Sequence, residues 1–215
     1  MRKKQHRPTV IALVATKGGV GKTTLASALA VRAAQDGGKV ALVDTDPQGS
    51  LWQWWTLRGE PGNPKIVATD AEGIGLAIAD RWDWIIVDSP PHGITLIEDA
   101  VHRADFAVIP CQPGGFDVAA QKHVVELCVK HDVPFAFVLN RVRSSGTAAD
   151  GSETYLAEDG PVLKTRVRDR AAYQNAGAAG ATGPEVERDG KAAAEIDALW
   201  LELQGILAKL GKVGK

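Results

Sequence analysis

A glycine-rich loop between an apolar run and an alanine-rich segment most constrains the fold of this 215-residue chain. Val10–Ala15 reads VIALVA, and a continuous apolar run is typical of a strand covered on both faces. Thr23–Ala34 is rich in Ala and Leu and stops before Gly37 and Gly38, which predicts a helix with a glycine terminator. Glycines between a strand and a helix let backbone N–H groups approach phosphate oxygens at the positive end of the helix dipole. The pattern therefore predicts a phosphate-binding loop.

The loop nearly matches the pattern G-x-x-x-x-G-K-[ST], with Gly21, Lys22 and Thr23 in the last three places. We expect Lys22 to neutralise β- and γ-phosphate oxygens and Thr23 to place its hydroxyl on Mg²⁺. The first glycine of the pattern is replaced by Thr16, and Lys17 adds a second cation. Two ammonium groups in one small loop repel each other when no nucleotide is present.

Further apolar runs alternate with helical patterns along the chain. The predicted strands are Val40–Asp44, Ile66–Val67, Trp84–Asp88, Phe106–Pro110, Phe135–Asn140 and Val162–Val167. Val118–Lys130 and Ala192–Leu210 are predicted helices, and Ser144–Gly160 is predicted to be a loop with one short helix. This alternation predicts an α/β fold, with a doubly wound, mostly parallel sheet and helices on both faces, formed by one domain over residues 1–215.

Composition narrows the class of protein. The net charge is −1, so any binding to nucleic acid must come from a local basic patch. The two cysteines form no CxxC pair, as expected for a protein of the reducing cytosol. No signal peptide and no run of about eighteen apolar residues is found, so we expect a cytoplasmic protein. The predicted C-terminal helix carries Glu195, Asp197 and Glu202, so packing on the sheet is favoured over binding to an anionic membrane.

Three carboxylates stand at the ends of predicted strands. Asp88 closes WIIVD and is expected to hold Mg²⁺ through water. Asp44 and Asp46 lie in VALVDTD, and Asp46 is expected to orient or deprotonate the attacking water. For Asp44, a catalytic role beside Asp46 and simple capping of the loop both stay open.

Three motifs in order resemble the deviant Walker A ATPases, in particular the ParA branch of the ParA/MinD class. They are KGGVGKTT (Lys17–Thr24), LVDTDPQGS (Leu42–Ser50) and IIVDSPP (Ile85–Pro91). The resemblance extends through ADFAVIPCQPGGFDV (Ala104–Val118) to VLNR (Val138–Arg141). Because the first strand begins almost at once, the chain resembles the short ParA type without an N-terminal helix-turn-helix domain.

The resemblance implies an ATP-dependent, Mg²⁺-requiring sandwich homodimer in which Lys17 crosses to the partner's nucleotide. It implies that Asp46 is the hydrolytic aspartate with Asp44 alongside, and that Asn140 and Arg141 face the adenine. The nucleotide-binding residues expected together are Lys17, Gly18, Gly19, Val20, Gly21, Lys22, Thr23, Thr24, Asp88, Asn140 and Arg141.

The resemblance further implies a cellular role. The ATP-bound dimer would coat DNA without sequence preference, and would therefore associate with the nucleoid. A ParB-like adaptor would stimulate ATP hydrolysis. The outcome would be partition of plasmids or chromosomes, or spacing of a protein cargo.

Basic residues near the end of the chain are the candidates for contact with DNA. Lys164, Arg166, Arg168 and Arg170 alternate, so in a strand they would share one face, and Arg188 and Lys191 follow. A second interpretation is that these charges lie on a strand edge exposed to solvent, where charged residues are common. A third interpretation is that part of this segment lies near the adenine.

Two further points bear on function. The tryptophans of SLWQWWTLR (Ser50–Arg58) are expected to pack in the core or at a dimer interface, in preference to stacking on single-stranded bases. A nitrogenase-type iron protein is rejected, because the loop after Asp88 holds no cysteine. A membrane-acting MinD-like ATPase and a metabolic P-loop enzyme remain as alternatives.

Overall fold

A single parallel sheet organises the molecule, in a computed structural model that describes residues 7–114, 121–143 and 147–212. Its six strands lie in the order β3-β2-β4-β1-β5-β6, and every pairing is parallel. The strands are β1 (Thr9–Leu13), β2 (Val40–Asp44), β3 (Lys65–Ala68), β4 (Trp84–Asp88), β5 (Phe106–Cys111) and β6 (Phe135–Leu139). The order places β1, which leads into the glycine loop, in the middle of the sheet.

Helices connect the strands and cover both faces. They are α1 (Lys22–Gln35), α2 (Ser50–Leu57), α3 (Ala71–Ile78), α4 (Ile94–Arg103), α5 (Lys122–Lys130), α6 (Thr147–Asp159), α7 (Ala171–Gly177), α8 (Gly183–Val186) and α9 (Lys191–Lys209). All residues of β1, β2, β4 and β5 are buried, as their continuous apolar runs predict. One apolar cluster joins the sheet to α1, α2 and α9, and a second joins the opposite face to α3, α4, α5 and α6. The predicted doubly wound α/β class is confirmed.

The predicted last strand, Val162–Val167, is wrong. Val162 forms an isolated parallel bridge with Phe137, and a second bridge joins Val142 to Arg168, just beyond the segment. Leu163 N and Val167 N donate to the carbonyls of Phe137 and Leu139, but the segment does not form a continuous strand. Between these contacts a carboxylate interrupts the pairing, since Glu202 of α9 accepts the backbone N–H groups of Lys164 at 2.8 Å and Thr165 at 3.0 Å.

Two predicted helical segments differ by more than one or two residues from the observed helices. The segment 144–160 holds the 13-residue helix α6, longer than the short helix predicted. It buries Ala149 and Leu156 against the sheet, an apolar contact too sparse to stand out in a polar stretch. Helix α5 begins at Lys122, and residues 118–120 of the predicted helix lie outside the described residues.

The tryptophan-rich helix α2 packs on the core. Leu51, Trp54 and Trp55 share one helical face and are buried, in agreement with the core packing expected for the tryptophans. Trp52 is 43% exposed and lies against the ring of Trp55, with 5.5 Å between centroids. Core packing therefore accounts for two of the three tryptophans.

The two ends of the described chain meet at Asp105, a buried residue that precedes β5. Its Oδ2 accepts the backbone N–H of Val10, and its Oδ1 lies 3.4 Å from Arg7 and 3.3 Å from the Lys212 ammonium. The hydroxyl of Thr9 donates to the carbonyl of Lys212. The start of β1 and the residues after α9 are thus joined at the edge of the sheet opposite the glycine loop.

Candidate functional site

The glycine loop lies where β1 ends and α1 begins, at the carboxyl edge of the sheet. Gly19 and Gly21 have φ values of +76° and +97°, a region that side chains disfavour. A Cβ on Gly21 would lie 2.1 Å from Nδ2 of Asn140, so glycine is also required by close approach. The local sequence thus explains why the chain can wrap tightly before α1.

Three side chains from neighbouring loops hold the glycine loop by its carbonyl groups. Asn140 Nδ2 donates to Val20 O at 2.7 Å, and Arg141 Nη1 donates to Gly19 O at 3.3 Å. Gln112 Nε2 also donates to Gly19 O, at 2.7 Å. Asn140 and Arg141 were predicted near the nucleotide, whereas Gln112 was missed. Its position directly after β5, at the ligand-binding edge of a parallel sheet, is the signal that could have found it.

The two lysines of the loop occupy different environments. Lys22 is buried, and its Nζ lies 3.2 Å from Lys17 O and 3.5 Å from Ala15 O. Burial lowers the pKa of Lys22, while the negative charges of Asp88 and Asp46 act in the opposite direction. Lys17 is exposed. One cation of the loop therefore faces inward and the other lies at the surface.

Asp88 and Thr23 form a pair suited to Mg²⁺. Thr23 Oγ1 donates to Asp88 Oδ2 at 2.6 Å, and burial raises the pKa of Asp88 to about 7. Among the described residues, Asp88 Oδ1 is buried without a hydrogen-bond partner. No group of three or more His, Cys, Asp or Glu side chains in that part of the chain could hold a metal. The Thr23 hydroxyl and the Asp88 carboxylate, one oxygen of which has no partner within the described chain, fit Mg²⁺. This ion typically keeps waters and takes its other ligands from phosphates.

Asp44 is held by backbone groups. Its Oδ1 accepts from Asp46 N at 3.2 Å and its Oδ2 accepts from Trp52 N at 2.9 Å. Burial raises the pKa of Asp44. Asp46 instead is partly exposed, and its Oδ1 accepts only from Gln48 N, at 3.0 Å, among the contacts of the described chain. These contacts favour capping for Asp44, and leave Asp46 as the better candidate to face a water.

A cavity of about 230 Å³, here called the loop-side cavity, opens beside the glycine loop. Its wall contains Gly19, Gly21, Thr24, Asn140, Arg141, Val167, Arg168, Asp169, Tyr173 and Gln174. Asn140 and Arg141, which the resemblance implies to face the adenine, therefore lie together in the wall of one cavity. Arg168, a candidate for DNA contact, lines the same cavity, in line with the interpretation that part of its segment lies near the adenine.

The remaining basic candidates divide into two kinds. Arg166 lies 2.8 Å from Asp150 and also pairs with Glu153, and Arg170 pairs with Glu195 at 2.5 Å. These charges are neutralised within the chain. Within the described ranges, the exposed side chains of Lys164, Arg188 and Lys191 have no ion pair. The shared face predicted for the alternating residues is absent, because the segment is not a strand.

Comparisons with known proteins identify relatives in sequence and in fold. Two proteins called maintenance of carboxysome distribution protein A are similar to the chain. The one from Halothiobacillus neapolitanus is 29% identical over 203 residues, covering 88% of this chain and 93% of the relative. The one from Gloeobacter kilaueensis is 32% identical over 182 residues, covering 79% of this chain and 81% of the relative. The protein ParA of Rhizobium radiobacter is 26% identical over 179 residues, covering 76% of this chain and 80% of the relative.

Solved structures show the same fold. The apo McdA structure from Cyanothece has a TM-score of 0.75 and 17% identity, covering 91% of this chain and 99% of its own. The septum site-determining protein MinD of Pyrococcus horikoshii, solved with Mg-ADP, has a TM-score of 0.74 and 18% identity. The match covers 91% of this chain and 96% of the MinD chain. The model of the CobQ/CobB/MinD/ParA nucleotide-binding domain matches residues 11–182. The chain therefore belongs to the CobQ/CobB/MinD/ParA nucleotide-binding domain family, and within it resembles the ParA ATPases.

Proposed function

We propose that this protein is a dimerising ATPase that hydrolyses ATP with Mg²⁺ and uses the ATP-bound state to position or partition a cargo. The observation that carries the proposal is the split between the two loop lysines. Lys22 is buried and directed into its own loop, whereas Lys17 is exposed. A buried cation serves the nucleotide of its own subunit, and a cation at the surface lies where the nucleotide of a second copy can approach it.

Each residue of the site then has one task. Lys22 and the loop amides bind the β- and γ-phosphates, and Thr23 and Asp88 hold Mg²⁺. When bound, Mg²⁺ neutralises charge that develops on the phosphate oxygens. Asp46 orients the attacking water. Asp44 fixes the backbone of Asp46 and the first turn of α2 through the two N–H groups that it accepts.

The base and sugar of the nucleotide are expected in the loop-side cavity, against Asn140 and Arg141. Arg141 has a left-handed backbone with φ of 52°, an uncommon conformation for a residue other than glycine. Its guanidinium lies within reach of Gly19 O at 3.3 Å and of Asp169 at 3.7 Å. Arg141 thus closes one side of the cavity and is expected to move when nucleotide binds.

A subunit-mixing experiment tests the crossing lysine. Lys17→Ala should bind ATP as a monomer and fail to hydrolyse it, because the cation in trans is lost. Asp46→Ala should bind ATP, dimerise and fail to hydrolyse. A mixture should recover activity, since in a mixed dimer the Lys17→Ala subunit keeps Asp46 and receives the partner's lysine. A mixture as inactive as its components, with heterodimers demonstrated by size or cross-linking, contradicts the proposal.

The cargo-positioning part of the proposal is supported by the relatives. Their names refer to carboxysome distribution and to ParA. We infer a ParB-like adaptor that stimulates hydrolysis, and non-specific DNA as the surface to which the ATP-bound dimer binds in the nucleoid. The six basic candidates remain a prediction, and the exposed residues Lys164, Arg188 and Lys191 are the strongest of them because no acid neutralises them within the described chain.

DNA binding is tested by co-sedimentation with unrelated DNA sequences across a salt series. Binding should require ATP, ignore sequence, and fall linearly in log affinity against log salt. Replacing Arg188 and Lys191 by Gln should flatten this slope, whereas the matched exposed pair Lys39→Gln and Lys65→Gln should leave it unchanged. ATP-dependent binding to anionic vesicles without binding to DNA would instead support the membrane-acting alternative. In the described part of the chain, no helix has the length and apolar character needed to cross a membrane.

A further inference from the structure

The C-terminal end of α2 is tied to a distant segment by one arginine. Arg58 follows the last turn of α2, and its Nη1 and Nη2 donate to the two carboxylate oxygens of Glu185 at 2.7 Å and 2.6 Å. Nη1 also donates to Gly180 O at 3.1 Å. A bidentate pair of this kind fixes orientation as well as distance, because two parallel bonds match the planar guanidinium.

Trp54 reinforces the same connection. Its Nε1 donates to Ala181 O at 2.9 Å, and the Arg58 guanidinium carbon lies 5.4 Å from the Trp54 ring centroid. The Arg58 and Glu185 side chains are only 21% and 23% exposed, so water screens their attraction less than it screens a surface pair. We call this set of contacts, made by Trp54 and Arg58 with residues 180–185, the α2 anchor.

The segment that receives the anchor is itself well ordered. Glu185 Oε2 accepts from both N and Oγ1 of Thr182 at 2.9 Å, which forms a capping box at the start of α8. Gly180 has φ of +62°, and a Cβ there would lie 2.3 Å from the backbone nitrogen of Arg58. The two backbones are therefore in direct contact, and movement of one segment must displace the other.

The opposite end of α2 is joined to the candidate hydrolytic residue. Asp44 accepts from Trp52 N in the first turn of α2 and from Asp46 N. The carbonyl of Asp46 accepts from Gly49 N at 2.8 Å, directly before the helix begins. Helix α2 has eight residues, or about 12 Å at 1.5 Å per residue. It therefore forms a short strut between the Asp46 loop and the α2 anchor.

The receiving segment continues directly from α7, which lines the loop-side cavity. Tyr173 and Gln174 of α7 are in the wall of that cavity, and Tyr173 also lines a second cavity of about 210 Å³ between α1, α2 and α7. This second cavity contains Ser50 and Gln53 on its α2 side. The anchor thus adds polar contacts to the packing of Leu51, Trp54 and Trp55 on the core.

We propose that Arg58 is a positioning residue that couples the base-and-sugar end of the bound nucleotide to the placement of Asp46. Contact of a nucleotide with Tyr173 and Gln174 restricts the motion of α7 and of the residues that follow it. Because Arg58 binds those residues, the motion of α2 is restricted as well. Helix α2 in turn holds the Asp46 loop in place. The coupling rests on the proposed nucleotide site, whereas the anchoring itself does not.

Hydrogen exchange of the nucleotide-free protein tests the anchoring. Arg58→Gln should speed amide exchange in residues 49–57 at least about tenfold, which corresponds to about 1.4 kcal/mol of local stability, and should leave α1 unchanged. The matched control is Arg32→Gln, since Arg32 is 23% exposed and pairs with Asp197 on α9. The control should leave residues 49–57 unaffected. Unchanged exchange in 49–57 of Arg58→Gln overturns the proposal.

Addition of ADP tests the coupling. In the parent protein ADP should slow exchange in residues 49–57, and in Arg58→Gln that slowing should disappear although ADP affinity changes less than about twofold. Slowing that persists in Arg58→Gln overturns the coupling. If ADP does not bind the parent protein, the proposed function is contradicted at its first step. Hydrogen exchange of the parent and Arg58→Gln proteins without nucleotide still tests whether Arg58 anchors α2.

Steady-state ATPase kinetics separate positioning from general loss of structure. Arg58→Gln should lower kcat about tenfold with KM within about twofold, because Arg58 is not in the wall of the loop-side cavity. Arg58→Lys should recover part of kcat, since it keeps the charge but not the bidentate geometry. Arg32→Gln should keep kcat. An equal loss of kcat in Arg58→Gln and Arg32→Gln would contradict the positioning role.

Discussion

Replacing Gly21 by Ala tests whether the contact between the glycine loop and Asn140 shapes the site. A Cβ at position 21 would lie 2.1 Å from Asn140 Nδ2 and 3.4 Å from Asn140 Cγ. Real contacts of Cβ atoms are never so short, so the buried Asn140 side chain must turn away and lose its 2.7 Å bond to Val20 O. Gly21→Ala therefore combines backbone strain at φ +97° with the loss of a buried hydrogen bond.

The magnitude follows from these two effects. A non-glycine residue in the left-handed region costs about 1–2 kcal/mol. A buried donor that loses its acceptor costs about 1–3 kcal/mol more. Gly37→Ala is the matched control, since Gly37 has φ +89° and a Cβ there would meet nothing within 4 Å. We expect Gly21→Ala to lower the free energy of unfolding by about 1–3 kcal/mol more than Gly37→Ala does.

The assay is equilibrium unfolding in urea of both variants, alone and combined with Asn140→Ala. In the Asn140→Ala background, the excess cost of Gly21→Ala should largely disappear, because the side chain that clashes is gone. ATP affinity should also fall in Gly21→Ala and stay at the parent value in Gly37→Ala. Equal destabilisation by Gly21→Ala and Gly37→Ala, or an excess that survives removal of the Asn140 side chain, would refute the reasoning.

Three further predictions concern buried titratable groups. The pKa of Asp88, raised by burial from 3.8 to about 7, means that the nucleotide-free folded state binds the proton more tightly than the unfolded state. Its contribution should therefore lower stability progressively as pH rises from about 4 towards about 7, and urea unfolding of Asp88→Asn should lack this fall. Lys22→Met should reduce ATP affinity at least about a hundredfold, measured by calorimetry, because the cation beside the phosphates is lost. An unchanged circular dichroism spectrum would show that the variant is still folded. Burial raises the pKa of Cys111 and Cys128 to about 12, so neither thiol should react with Ellman's reagent until the protein unfolds; a native thiol titrating at once would contradict this.

Much of the sheet could be predicted because its strands are buried on both sides. VIALVA, VALVD and WIIVD have no polar position facing solvent, which is typical of parallel strands covered on both faces by helices. The glycine loop was equally predictable, because three glycines followed by Lys22 and Thr23 stand between a buried apolar run and a helical pattern. Sequence patterns are enough to predict these two features because neighbouring residues in the chain specify each of them.

The part that could not be predicted depends on contacts between distant residues. Lys164 and Thr165 donate to Glu202, which lies 37 or more residues further along the chain, so the segment is not a strand. The pairing of Arg170 with Glu195 likewise removes a charge that the sequence presents as available. Short-range alternation cannot reveal a carboxylate supplied by another helix, and the same limit applies to the contact between Arg58 and Glu185.

The junction of the two chain ends at Asp105 has a mechanical consequence. A force that pulls residues 7 and 212 apart acts directly across the contacts of Arg7 and Lys212 with Asp105, which should break first. Helix α9 would then peel from α1 a turn at a time, because force reaches its contacts one after another. Strand β1 is hydrogen-bonded to β4 on one side and β5 on the other, so it resists as a unit. In an optical trap, α9 should detach at low force while the glycine loop, at the far end of β1, keeps its shape.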